Sequence, residues 1–147
     1  MTLEEFLVAT AFVMAIFLPA IGSALGTSAA GMAALGAWKR CYMTNKAAPF
    51  VLAAFAGAPL SQTIYGMILM NAVHGAPETV SVADRFLVGL LGGLAIGLSA
   101  WLQGRAGVLA SDALSETGKG FGNYIMVIGI IETVALFVMV FLLGTLT

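Results

Sequence analysis

The sequence predicts an all-α membrane protein of four transmembrane helices, arranged as two fused helical hairpins. Three observations predict it. Of 147 residues, 61% are hydrophobic and only 9% charged, where a water-soluble domain carries roughly 25% charged residues. Mean hydropathy is +1.04. The charges that do occur fall at the edges of four long apolar runs, with one exception, Glu132.

The first run, Phe6 to Trp38, holds no charged residue. It is longer than the roughly 20 residues a span requires. Pro19 and the glycines around it supply no polar turn, so the run reads as one long helix. At about 1.5 Å of rise per residue it projects beyond the bilayer. A secretory leader needs a positive n-region. Glu4 and Glu5 have the wrong sign, so this run is expected to stay as a permanent helix. Ala47 to Pro77, Phe86 to Gly104 and Phe121 to Thr147 each supply one further span.

The connections are short. Lys39 to Lys46 is basic, Val73 to Arg85 carries His74, Glu78 and Asp84, and Arg105 to Lys119 is mixed. Arg105 is expected on a part of helix 3 that outreaches the lipid. The positive-inside rule places Lys39–Lys46 in the cytoplasm. Both hairpin turns then face the cytoplasm and both termini lie outside, in what reads as a prokaryotic plasma membrane. The division expected is residues 1–74 for the first hairpin, which lacks a carboxylate at depth, and 75–147 for the second.

The helices differ in texture. Helix 1 carries Gly22, Gly26, Ala29, Ala30, Ala33 and Ala37, and helix 3 carries Gly89, Gly93 and Gly97. Small residues at such spacings let backbones approach closely in lipid. Helix 4 carries bulkier residues such as Phe137, Val138 and Phe141. Helices 1 and 3 are therefore expected as an inner layer, and helices 2 and 4 as an outer one. Ser23/Ser99, Ala24/Ala100, Ala30/Ala106 and Gly31/Gly107 recur at one constant offset, as in a duplicated hairpin. Setting Leu60-Ser61 against Glu132-Thr133 aligns helices 2 and 4, and leaves one acid per two hairpins.

Glu132 lies 13 residues past Lys119 and 15 before Thr147, near the bilayer midplane. A charge there costs at least about 2.5–3.5 kcal/mol, and acids placed so are by default functional. The bland alternative is a protonated Glu bonding a neighbouring helix. Counting from the cytoplasmic ends brings Gln62, Gln103, Ser61, Tyr65 and Thr133 to the same depth. Pro59 lies there too, and frees a carbonyl one turn back at Phe55, so that backbone oxygens near Ala58 become available as ligands. One carboxylate among neutral oxygens suits a monovalent cation better than Ca²⁺ or Mg²⁺. A proton needs only the Glu, so Gln62 and Gln103 are what argue for Na⁺. Each Gln has a plainer reading as an interhelical hydrogen bond worth about 0.6–2 kcal/mol. Tyr65 reads either as a packed ring with a bonded hydroxyl or as a donor that holds the carboxylate.

The remaining features exclude other classes. Cys41 is the only cysteine and His74 the only histidine, which removes an internal disulfide and a Cys- or His-pair metal site. The eight methionines read as packing material. No phosphate-binding glycine loop, nucleophile elbow or metalloprotease motif occurs. The net charge of −1 implies no nucleic-acid partner, and no organic cofactor or catalysis by the isolated chain is expected.

Pro59-Leu60-Ser61-Gln62-Thr63-Ile64-Tyr65-Gly66 is similar to the Pro-x-Thr/Ser-Gln-x-x-Tyr-Gly segment of one family, and Gln103-Gly104 and Glu132-Thr133 match its other two pieces. The chain resembles the proteolipid, or K subunit, of V-type and V/A-type rotary ATPases, of the sodium-binding type, over nearly its whole length. The resemblance implies a homo-oligomeric rotor ring in the bilayer, with a stator membrane subunit that carries an arginine and central-stalk subunits at the cytoplasmic loops. Each Glu132 would take an ion from one half-channel and release it near that arginine, coupled to ATP hydrolysis or synthesis in a separate soluble head. The implied Na⁺ ligands are Glu132, Gln62, Gln103, Ser61 and the backbone oxygen of Ala58, with Tyr65 bonding the carboxylate and Pro59 and Thr133 supporting. Ser61 and Ala58 depart from the Thr and the bulkier residue expected there, while keeping hydroxyl and carbonyl. Alternatives are the same ring carrying H⁺, a small four-helix cation or drug antiporter, and a non-transporting scaffold. An antiporter would be expected to be shorter and to carry its acid in helix 1, and a scaffold leaves the Glu–Gln cluster unexplained.

Overall fold

The computed structural model describes residues 1–147. The chain is entirely helical, with four helices long and apolar enough to cross a membrane: α1 (Leu3–Met43), α2 (Leu52–Gly75), α3 (Val82–Thr117) and α4 (Phe121–Leu143). These are the features of an integral membrane protein. α1 begins at a capping box, in which Thr2 Oγ1 accepts from the Glu5 amide and the Glu5 carboxylate accepts from the Thr2 amide. It continues unbroken through Pro19 to Met43, as its lack of a polar turn predicts.

α1 and α3 run parallel and in closest contact. Their seam is built from residues with little or no side chain. A methyl added to Gly93 would lie 2.5 Å from the Met14 carbonyl oxygen, and one on Gly97 2.5 Å from that of Leu18. Gly22 faces the Gly97 backbone, and Gly104 the backbone of Gly26, more tightly still. In lipid, association rests on such packing rather than on a hydrophobic drive, so the seam is the main adhesive between the two halves. α2 lies against α1, with Gly66 over Pro19 and Pro59 over Gly26. α4 lies against α3.

Two helices depart from the spans expected. α3 starts at Val82, capped by Ser81, whose hydroxyl accepts from the Asp84 amide at 3.1 Å. It then widens to a π-turn over Val88–Gly92, where Gly89 closes on the Ala11 backbone. At its other end α3 carries Arg105, as expected, and passes on straight through Asp112 and Glu116, a stretch expected as a connection. Charges end the lipid-embedded portion of a helix but not the helix itself. Arg105 lies 5.7 Å from the Trp101 ring, and Asp112 and Glu116 both bind Arg40 of α1. α3 ends only where Gly118 adopts a left-handed conformation, φ 66°, with its amide donating to the Leu114 carbonyl. α2 is broken by a 3₁₀ turn at Ala58–Leu60, the local effect of Pro59 lacking an amide hydrogen.

Candidate ion site

Pro59 is where the site begins. The 3₁₀ turn it imposes leaves the Ala58 carbonyl accepting from both the Ser61 amide and the Ser61 hydroxyl, the latter at 3.0 Å. The Phe55 carbonyl expected to be freed faces Gly107 of α3. Ser61 Oγ also lies 3.1 Å from Gln62 Oε1. The turn therefore brings a backbone oxygen, a hydroxyl and a carboxamide oxygen together at one level of α2.

Gln62 points into the protein and is 0% exposed, as is Gln103 on α3. Gln62 Nε2 donates to Gln103 Oε1 at 2.8 Å. Gln103 Nε2 in turn donates to Glu132 Oε2 at 3.3 Å and to the Ile128 carbonyl at 3.1 Å. The other carboxylate oxygen, Oε1, accepts from the Tyr65 hydroxyl at 2.7 Å. Glu132 itself is half-buried. A continuous polar chain thus runs from α2 through α3 to α4, around one carboxylate, in a region whose neighbours are apolar.

The structure brings together Ala58, Ser61, Gln62, Tyr65, Gln103 and Glu132, with Pro59 buried at the turn that shapes the group. It leaves Thr133 aside: that residue is exposed, and its hydroxyl donates to the Ile130 carbonyl of its own helix at 2.6 Å. Equal depth put Thr133 in the slab, but its position on the helix turns it away. One participant escaped the sequence reading. Ser99 on α3 donates to the Ile131 carbonyl at 2.9 Å. Together with Gln103 it ties α3 to the turn of α4 that bears Glu132. Its place one turn before Gln103, on the same helix face, was the available signal.

No three His, Cys, Asp or Glu side chains gather anywhere in the chain. The site therefore offers one carboxylate and otherwise neutral oxygens. Such a donor set neutralises a single positive charge.

Residues 86–143 match the family model for the C subunit of ATP synthase. The match spans most of α3 and the whole of α4, and so contains Ser99, Gln103 and Glu132. α1 and α2, with Ser61, Gln62 and Tyr65, lie outside it. No curated protein matches the chain.

Proposed function

We propose that this chain, whose second half matches the proteolipid family of ATP synthases, is the rotor ring subunit of a V-type rotary ATPase or ATP synthase and carries Na⁺ on Glu132. In this reading many copies form a ring. Each carboxylate takes an ion at one half-channel, crosses the lipid-facing arc neutralised, and gives the ion up beside an arginine of the stator. The basic end at Lys39, Arg40 and Lys46 faces the cytoplasm and the central stalk. The chain catalyses nothing alone; ATP chemistry belongs to a separate soluble head.

The observation that carries the sodium reading is the convergence of two fully buried carboxamides, Gln62 and Gln103, on the one intramembrane carboxylate. A proton needs the carboxylate only. A desolvated monovalent cation needs several oxygens in place of its water. Ala58 O, Ser61 Oγ, Gln62 Oε1, Gln103 Oε1 and Glu132 supply them from three helices. A charged carboxylate is excluded from lipid by several kcal/mol, on the order of the cost of other intramembrane acids. Rotation is thus gated on ion occupancy.

Proton transport by the same ring is the second reading. It is favoured by Gln103 Oε1, an oxygen a cation would need, which already accepts from Gln62 Nε2. Carbodiimide labelling of Glu132, followed by mass spectrometry across pH with NaCl or KCl, separates the two. A carbodiimide attacks the protonated carboxyl, so a bound cation protects it. Protection by Na⁺ and not K⁺ at matched ionic strength is expected. Labelling that follows pH and ignores Na⁺ would leave the proton ring standing.

A further inference from the structure

Arg105 is a charge without a counter-charge. It is exposed and takes part in none of the three ion pairs. Its guanidinium lies over the Trp101 ring, 5.7 Å from the ring centre. Gln103, two residues before it, donates to the Ile128 carbonyl and to the Glu132 carboxylate. Arg105 therefore stands only about 3 Å along α3 from the level of the ion site. The charged end of the bundle, where Asp112 and Glu116 hold Arg40, begins about 10 Å further on. The side chain does not reach for that end. Helical side chains lean toward the helix N-terminus, and Trp101, one turn back, holds the guanidinium on the ion-site side. A bare charge at that depth in lipid is costly and calls for a partner.

Arg105 and Glu132 face different sides of the protein. Arg105 continues an exposed stripe of α3 formed by Leu94, Leu98 and Trp101, on the side of the α1–α3 seam away from α2 and α4. On α1 the exposed stripe Ile21, Leu25 continues to Ser28. Ser28 is level with Arg105, because Gly104 meets Gly26 and Gly107 meets Ala30. Between the stripes runs a groove walled by Ile21, Leu25 and Leu98, floored by Gly22 and Gly97 and bounded by Trp101, with no charged residue in its lining. A cation, a hydroxyl and an aromatic ring thus stand at one end of an apolar groove that leads away from the charged end of the bundle.

A second copy of this chain offers no anion to this place. Of the seven acidic residues, Glu4, Glu5, Glu78 and Asp84 lie at the opposite end, and Asp112 and Glu116 are held by Arg40. Glu132 is on α4, across the seam, and bound by Tyr65 and Gln103. We infer that Arg105 and Ser28 bind the phosphodiester of an anionic phospholipid enclosed by the ring, with one acyl chain laid in the Gly22–Gly97 groove. The planar guanidinium fork matches phosphate oxygens, and the groove accepts a hydrocarbon chain and nothing charged. A ring repeats Arg105 in every copy. A lipid of net negative charge relieves that crowding, whereas a zwitterionic lipid adds an ammonium to it. The expectations that Arg105 lies beyond the lipid and Glu132 at its midplane then hold together, because the enclosed headgroups sit at the level of the ion site. The enclosure rests on the ring reading; the contact with phospholipid does not.

The test uses rings of the full chain, produced in a host whose membranes hold phosphatidylglycerol and phosphatidylethanolamine, and purified without phosphate. Native mass spectrometry counts the lipids kept by the unmodified ring, by Arg105→Gln and by Lys39→Gln. Lys39 is an exposed cation at the charged end of the same α1 stripe, and serves as the matched loss of charge. Arg105→Gln is expected to keep at least about threefold less phosphatidylglycerol per chain, as loss of a charge-assisted pair implies. Phosphatidylethanolamine is expected to be unchanged, and Lys39→Gln to match the unmodified ring. Equal retention in all three, or an equal loss in Lys39→Gln, would overturn the inference. A cryo-EM map of the unmodified ring decides even if Arg105→Gln fails to assemble. Phosphate density beside Arg105, continuous with a chain along Gly22 and Gly97, supports it. Isolated density without a chain, a partner subunit's carboxylate at Arg105, or water alone overturns it. A mass of one chain in place of a closed ring would sink the ring reading, and Arg105-dependent retention of phosphatidylglycerol by that chain would still decide the contact.

Discussion

The Tyr65 hydroxyl donates to Glu132 Oε1 at 2.7 Å, joining α2 to α4 across the mouth of the polar cluster. This bond comes from the hairpin outside the family match to the carboxylate inside it. A hydrogen bond to a charged group is worth about 1.5–3 kcal/mol. Its loss in Tyr65→Phe frees the carboxyl group to turn away from the cluster and meet the reagent. Carbodiimide labelling of Glu132 at neutral pH without sodium is then expected to speed up about tenfold, within the range such a bond is worth. An unchanged rate would mean that Tyr65 only packs.

Glu132 is the only acid at mid-depth, so its replacement separates assembly from transport. Glu132→Gln keeps the size and can still accept from Tyr65 through its carbonyl. Rings of normal mass are expected, with ion uptake into proteoliposomes abolished and ATP hydrolysis in the head losing its coupling. Residual uptake above background would place the transported charge elsewhere.

The two glutamines are expected to act as a pair. Gln62→Leu or Gln103→Leu each removes a candidate oxygen ligand and leaves its partner's buried polar group unmatched. Groups linked by a hydrogen bond do not contribute additively. Each single substitution is expected to weaken sodium protection at least about tenfold, with the double variant well short of the product. Protection that survives both changes would remove the oxygens that distinguish a sodium site from a proton site.

How much of this was legible in the sequence follows from physical scale. Bilayer thickness is a long-range constraint, so four spans and the depth of Glu132, Gln62 and Gln103 could be counted from charged residues alone. The small-residue spacing likewise announced the α1–α3 seam. Rotational position about a helix axis is finer than depth. Thr133 is adjacent to Glu132 in depth yet turned outward, and Ser99, whose role is to bind a backbone carbonyl, looked like one more small residue. The continuation of α3 through Asp112 and Glu116 was hidden because their partner, Arg40, lies some seventy residues away and acts only in the folded chain. The π-turn at Val88–Gly92 has no sequence pattern of its own; it lies where Gly89 and Gly93 come against α1.

The seam itself yields the last prediction. Alanine is favoured over glycine inside a helix by about 1 kcal/mol, so a Gly→Ala change with room for the methyl should stabilise. Gly36, exposed on α1, has nothing within 4 Å of the added carbon. Gly22, on the same helix, would drive that carbon into the backbone of Gly97, which has no side-chain rotamer by which to yield. The helices would have to separate, and every contact along the seam would weaken with them. Gly22→Ala is expected to lower the thermal stability of the purified protein in detergent, while Gly36→Ala leaves it unchanged or raises it slightly. Because the α1–α3 seam holds the two hairpins in register, Gly22→Ala should also weaken sodium protection of Glu132. It would do so by shifting Gln62 relative to Gln103 and without touching a ligand. If Gly22→Ala and Gly36→Ala behave alike in both measurements, the close seam is not what fixes the relative positions of the two halves.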